Sequence, residues 1–498
     1  MSAKTLAVIG SGVAGWSLAC ALVRVFKSSE VKIIFLDNEE PDIFSAEYAG
    51  DYIHDFNDML GVSLGNLISK TNSTLGYGTR FKSWGFSGQD FILSESVCMK
   101  DESGADFPKF FAAAKRLGLT KNIDDFSLSA IAAKSGRFGF PVKNENSIYS
   151  NLQFGLNLDL HGYTRVITSL ALSMGVVHIK ARIIASGEKD VSGGLKSVSL
   201  DNGQTCSADI YIDCSNEGDL VRKILTFSES TNPNIPELCQ LTVGVMAPDS
   251  EFKPCSEWLG LGSGVAQIIP LRDRKLIALH MMSNERANDV SGLQGASIKY
   301  SKSGNRYLNQ FWVNNVVAMG RSAFELPITP WGEFKWFRNQ VVRFIELFID
   351  FDVLTCSASE YNRLSLIEYE MISEMTAMNF FLGRANKDFV DFFNENPPLP
   401  ELQHRLKLFS EVGRHSSTSD QVISESRLGA FFLGNNIIPN WSDIDLVKNP
   451  EGLILNYCQN LYSLSQAAAN KLPSYSDFMQ QYILHNQKQG LSERVSGR

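Results

Sequence analysis

Three glycines spaced Gly10-x-Gly12-x-x-Gly15 stand between an apolar run, Leu6-Ala7-Val8-Ile9, and a helix-compatible run, Ser17 to Val25. In a strand–turn–helix unit each glycine has its own duty. The first makes the tight turn, the second lets backbone amides approach a pyrophosphate, and the third admits close packing of helix on sheet. The helix N-terminus then turns its partial positive charge toward the phosphates. A second apolar strand, Val31 to Leu36, ends at Asp37, about 20 residues after Gly15, where a carboxylate accepts hydrogen bonds from a ribose. Two later strand ends carry small or acidic residues: Ile210 to Ile212 runs into Asp213, and Val316 to Met319 runs into Gly320.

Strand ends so far apart in the chain imply a discontinuous nucleotide-binding domain, drawn from residues 1–110, 150–225 and 308–345. Residues 226–307, with alternating stretches such as Leu276 to His280, read as an inserted β-rich substrate region. From Trp331 onward apolar residues recur at three- and four-residue spacing, and residues 346–498 read as a C-terminal helical region. Asp159 to Ala171 reads as an amphipathic helix, followed by short strands over Val176 to Ile184 and Lys196 to Leu200.

The chain of 498 residues holds 46 basic and 54 acidic side chains, a net charge of −8, with no long run of one sign. That pattern offers no electrostatic footprint for nucleic acid. Eight scattered cysteines without a CxxC pair read as reduced thiols of a cytoplasmic protein, with no metal expected. No stretch approaches the ~18 apolar residues of a membrane span. A two-fold symmetric homodimer is the default assembly.

The whole chain resembles the flavin-dependent halogenases of the tryptophan halogenase family. The resemblance runs through Gly10 to Trp16, Glu47 in SAEYAG, Arg80, Phe81 and Trp84 in NLISKTNSTLGYGTRFKSWG, then FGLNLDLHGYTRVI, ADIYIDCSN, YNRLSLIEYEMISEM, FLGNNIIPNW and LPSYSDFM. It implies an α/β fold, with a Rossmann-like FAD-binding domain of glutathione-reductase type, an inserted sheet and C-terminal helices. It implies FAD, delivered reduced by a separate flavin reductase partner, and a small aromatic substrate. The cofactor residues expected are Gly10, Gly12, Val13, Ala14, Gly15, Asp37, Glu47, Ile183, Asp213 and Gly320. Trp84 and Trp331 are the flat apolar side chains expected to line a pocket for the aromatic substrate.

Departures fall where the family does its chemistry. Family members pass hypohalous acid through a tunnel to a lysine, and Gly76 occupies that lysine's position. Lys70 and Lys82, near it in sequence, read as solvated. A Trp-x-Trp-x-Ile-Pro sequence corresponds to Val265-Ala266-Gln267-Ile268-Ile269-Pro270, without either tryptophan. A catalytic glutamate's place is taken by Thr329, which cannot exchange a proton at neutral pH. Pro330 removes an amide hydrogen beside it. These losses favour reduced-flavin oxygenation of an aromatic or indole-like molecule. The alternatives are halogenation with relocated groups, for which Glu333, Glu325 or Lys335 are candidates, and a catalytically silent FAD-binding protein.

Overall fold

The computed structural model describes residues 4–26, 31–37, 45–85, 88–96, 107–191, 193–246, 253–262, 264–282, 297–327, 329, 331–348, 354–383, 387–413, 423–440 and 451–496. Of the residues singled out above, Pro330 and the last residue of FLGNNIIPNW, Trp441, lie outside this set.

The first strand, β1 (Lys4–Ile9), is followed by α1 (Val13–Val25) and β2 (Val31–Asp37). Every side chain from Leu6 to Ile9 is buried, as expected of a strand covered on both faces. β1 pairs in parallel with β2 and with the strand Ile210–Asp213, which in turn pairs in parallel with Val316–Ala318. Val177–Lys180 adds to the far side of β2, and Trp312–Val313 closes the other edge, giving six strands. The stretch read as one strand from Val176 to Ile184 is broken after Lys180; its second half, Ile183–Ser186, joins a separate three-stranded sheet.

Short strands β3 (Ala46–Ala49), β4 (Thr74–Gly76) and β7 (Gly155–Asp159) form a three-stranded antiparallel sheet, with the helix α2 (Tyr52–Leu60) following β3. A seven-stranded sheet takes four strands from Leu238–Met281, one from Ser297–Ser303, and two from earlier in the chain, β5 (Gly78–Trp84) and β6 (Gln89–Ser94). β5 joins it by pairing in parallel with Ser256–Leu261. The register aligns Thr242, Ala278, Gln267 and Trp258 in one transverse row, so one sheet face runs from polar to aromatic. Helices follow: Glu333–Leu347, Leu354–Leu382, and shorter ones to the C-terminal pair Glu451–Lys471 and Tyr475–Ser496. One apolar core joins β1, α1 and the parallel sheet to these helices. Among the described residues no helix is long and apolar enough to cross a membrane, and no group of three His, Cys, Asp or Glu could hold a metal ion.

Candidate active site

At the carboxyl end of β1 the chain turns through Gly10 at φ 134°, and a Cβ there would lie 2.8 Å from the backbone of Cys214 and Ser215. Only glycine suits both constraints. A Cβ on Gly12, by contrast, would meet nothing within 4 Å, and α1 starts without a side-chain cap. Its first amides are therefore open to a ligand, as an anion cradle requires. A Cβ on Gly15 would come within 3.0 Å of the Phe35 ring and of the Gly10 carbonyl, which accounts for the third glycine as a packing contact.

The cradle opens into a cavity of about 820 Å³. Ser11, Gly12, Val13 and Ala14 line one end, with Cys214, Asn216, Gly320 and Arg321 around them. Glu47, His161, Thr329, Glu333 and Phe334 line another part, and Gln240, Thr242, Gln267, Ile269 and Ala278 supply the seven-stranded sheet's face. Gly320 sits against α1, its amide donating to Gln340 Oε1 at 2.6 Å. This open cradle, with uncapped amides and a long cavity leading from it, fits an extended dinucleotide such as FAD.

Seven expected site residues are not cavity-lining: Gly10 and Gly15, already placed, and Asp213, Ile183, Trp84, Trp331 and Asp37. Asp213 is fully buried, and its carboxylate accepts hydrogen bonds from Ser215 N and Oγ (2.9 and 2.6 Å), Leu220 N (2.9 Å) and Val221 N (3.0 Å). It shapes the turn that carries Cys214 and Asn216, which line the cavity. Ile183 stands in the small sheet with Ser197–Leu200. Trp84 is fully buried among Phe81, Trp258 and Gly383, a core aromatic. Trp331 is 4% exposed, packed edge-on against Phe431 and beneath the Arg427 guanidinium. Asp37 ends β2, half-buried, next to residues outside the described set.

Gly76 faces no open space. A Cβ there would lie 3.0 Å from the Tyr48 ring and 3.3 Å from the Asn157 amide, so a lysine at this position requires Tyr48 to move. The Tyr48 hydroxyl donates to Glu95 Oε1 at 2.9 Å, and Glu95 holds Arg427 through two short bonds, 2.7 and 2.8 Å. Close to this cluster, the Lys335 ammonium lies 5.6 Å over the Tyr52 ring. Burial, followed by the Arg427 charge, lowers the Lys335 pKa to about 8. Lys70 and Lys82 are exposed, as expected. Glu325 is bound to Arg306 (3.1 Å) and Arg321 (2.7 Å), and Arg321 draws its carboxyl below the usual range against the cost of burial. That makes it a structural anchor in the cavity wall.

Gly332 separates the two regions. At φ 83°, its Cβ would lie 2.5 Å from Glu47 Oε1, which lines the cavity, and 3.1 Å from the Tyr52 hydroxyl beside Lys335. Gly332 thus packs between the Glu47 carboxyl in the cavity lining and the Tyr52 side chain beneath Lys335. Gly332→Ala is expected to cost roughly 1–3 kcal/mol from backbone strain alone, before the Glu47 contact is counted; a urea titration showing no loss of stability would refute this packing.

Tyr52, Glu95, Arg427 and Gly332 were not legible as site residues. Glu95 and Arg427 lie 332 positions apart, with no local motif to join them. Gly332 alone carried a signal, a glycine directly before a helix start.

The fold and cavity define a dinucleotide-dependent enzyme of the α/β class. A family model for tryptophan halogenase matches residues 5–449, and the chain belongs to the tryptophan halogenase family. BrvH, a flavin-dependent halogenase from Brevundimonas sp. BAL3, superposes with a TM-score of 0.88 at 21% identity, covering 96% of this chain and 99% of that one. Xcc4156, a flavin-dependent halogenase from Xanthomonas campestris, gives 0.86 at 20% identity, covering 97% and 99%. A tryptophan 6-halogenase from Streptomyces toxytricini gives 0.84 at 16%, covering 96% and 99%. The chain is accordingly a flavin-dependent oxidoreductase whose cofactor is FAD, reduced by a separate flavin reductase.

Proposed function

We propose that this chain halogenates an electron-rich aromatic molecule, with Lys335 acting where residue 76 offers no lysine. The departures at Gly76, Gln267 and Thr329 pointed to oxygenation; family membership over residues 5–449 now weighs toward halogenation. The observation that carries the reading is the Lys335 ammonium, set apart from the flavin cavity behind Gly332 and Tyr52. A lysine outside the flavin cavity suits a diffusible oxidant, whereas direct oxygen transfer needs the substrate in the flavin's own cavity.

FAD would be held by Gly10, Gly12, Val13, Ala14, Gly15, Asp37, Glu47 and Gly320. Reduced FAD, when bound, supplies the activation of dioxygen that oxidises the halide. Lys335, with its pKa near 8, is present at neutral pH mainly as ammonium with a minor amine fraction. The ammonium donates hydrogen bonds to an oxidised halogen species, and the amine accepts halogen from hypohalous acid, forming N–X and releasing water. Gln267, facing the cavity in place of a tryptophan, favours the oxygenation reading as the alternative.

The test is product mass from purified protein with FAD, a flavin reductase, NADH, oxygen, bromide and an indole panel. A singly brominated product of one regiochemistry, formed in the presence of catalase, is the expected result. A product heavier by one oxygen atom, with bromide irrelevant, would replace halogenation with oxygenation.

A further inference from the structure

The sheet wall of the cavity is graded from polar to apolar. Three of its strands, Leu238–Met246, Arg274–Met281 and Gly264–Pro270, lie side by side. Because side chains alternate along a strand, every second residue faces the cavity, and the register sorts those residues into rows. Thr242, Ala278 and Gln267 form the middle row. On one side of it stand Gln240, His280 and Val265; on the other stand Leu276 and Ile269. Gln240, Thr242, Gln267, Ala278, Leu276 and Ile269 all line the cavity. This floor therefore passes over about 13 Å from amides and a hydroxyl to branched hydrocarbon. At its centre Ala278 puts only a methyl group between Thr242 and Gln267, which leaves room for a flat ring to lie across the strands.

Two features mark the polar end as built for a ligand. Thr242 and Gln267 are only 5% and 8% exposed, so their polar groups are largely withheld from bulk water. His280 is 1% exposed, shares its face with Ala278, and has no hydrogen-bond partner at either ring nitrogen. Burial pushes its pKa down to about 3, which keeps the imidazole neutral. A buried polar group left unpaired is costly and asks for an explanation. The Gln240 Nε2 donates to Thr242 Oγ1 at 3.0 Å, so that oxygen accepts there and the Thr242 hydrogen is left for another acceptor.

We infer that this floor receives the isoalloxazine ring of FAD, with Gln240, Thr242 and Gln267 hydrogen-bonding its imide edge and Leu276 and Ile269 against its dimethylbenzene edge. The cradle at Gly12 to Ala14 opens into the same cavity, whereas Asp37, the expected ribose acceptor, does not line it. The adenosine half of the cofactor thus runs away from the cavity, and the flavin half runs into it. The imide edge presents a carbonyl, an N–H and a second carbonyl in succession. A glutamine amide and a threonine hydroxyl each offer both a donor and an acceptor, so together they match that sequence without a charge. Gln267 stands where the resemblance puts a tryptophan, which makes this recognition a property of this chain. The inference concerns how the cofactor is held and is independent of the product released.

The test compares oxidised FAD with its N3-methyl analogue, which lacks the imide N–H, by fluorescence quenching. The parent protein is expected to bind FAD about tenfold more tightly than the analogue. Gln267→Met and Thr242→Val keep side-chain volume and delete hydrogen-bonding groups, and each is expected to weaken FAD binding roughly three- to tenfold. Their affinity for the analogue should change less, so the preference for FAD shrinks. Equal affinity of the parent for both flavins overturns the inference. A preference that both variants retain in full also overturns it, because crowding at N3 would then explain the parent's choice. The parent comparison needs no variant to fold, and melting curves of the two variants without FAD show whether each can be read.

Discussion

Replacing Gly12 by valine is expected to yield a folded protein that has lost FAD. The dissociation constant should rise at least ~100-fold, roughly 2.8 kcal/mol. The geometry makes this substitution informative. Gly12 has φ −93°, an ordinary value for valine, and a Cβ there meets no protein atom within 4 Å. The added side chain therefore strains nothing in the empty fold and intrudes only on the pyrophosphate. Thermal melting without FAD should match wild type, while fluorescence quenching by FAD should vanish at concentrations that saturate the parent. The same change at Gly10 would not serve, since its φ of 134° and its 2.8 Å approach to Cys214 make any side chain a folding defect. Quenching by FAD that persists at wild-type affinity in Gly12→Val would remove the pyrophosphate from this turn.

Lys335→Met carries the second large effect. Methionine keeps the apolar stem that covers the Tyr52 ring and deletes only the nitrogen. Removing an electrostatic group of this kind at a reacting centre costs ~100- to 1000-fold in turnover, about 2.7–4 kcal/mol. Halogenated product should fall by that factor with FAD affinity unchanged, and reduced flavin should be consumed to peroxide instead. Turnover within about threefold of wild type would rule out Lys335. Restoring a lysine at Gly76 is a weaker experiment, because the Tyr48 ring and the Asn157 amide already occupy that space.

Part of this site was legible because it is written in local spacing. The glycine triplet, the apolar strands on either side of α1 and the acid closing β2 depend on neighbours within about 30 residues, and the structure places β1, α1 and β2 together accordingly. The missing lysine and glutamate were equally plain, since an absent functional group needs no coordinates to be noticed. The expected helix from Ser17 to Val25 begins earlier, at Val13, because the uncapped amides of its first turn belong to the cradle.

The surroundings of the other candidate residues were decided by tertiary structure alone. Asp213 carries the sequence signature of a cofactor residue, yet four donors from its own turn exhaust its carboxylate. Trp84 and Trp331 have the residue type of a substrate platform, but long-range packing draws both into the core, where burying a large aromatic face is worth more than exposing it. Lys335 reads as an ordinary charge near a helix start until burial, followed by the Arg427 charge from a distant segment, lowers its proton affinity against the opposing pull of Glu95. Glu47 follows the same rule: burial and the charge of Glu333, 286 positions away, raise its proton affinity, and neither is a property of sequence spacing. Backbone geometry and hydrogen-bonding capacity are local and can be read residue by residue. Desolvation and proton affinity depend on everything within a few ångströms, and only the folded chain determines what that is.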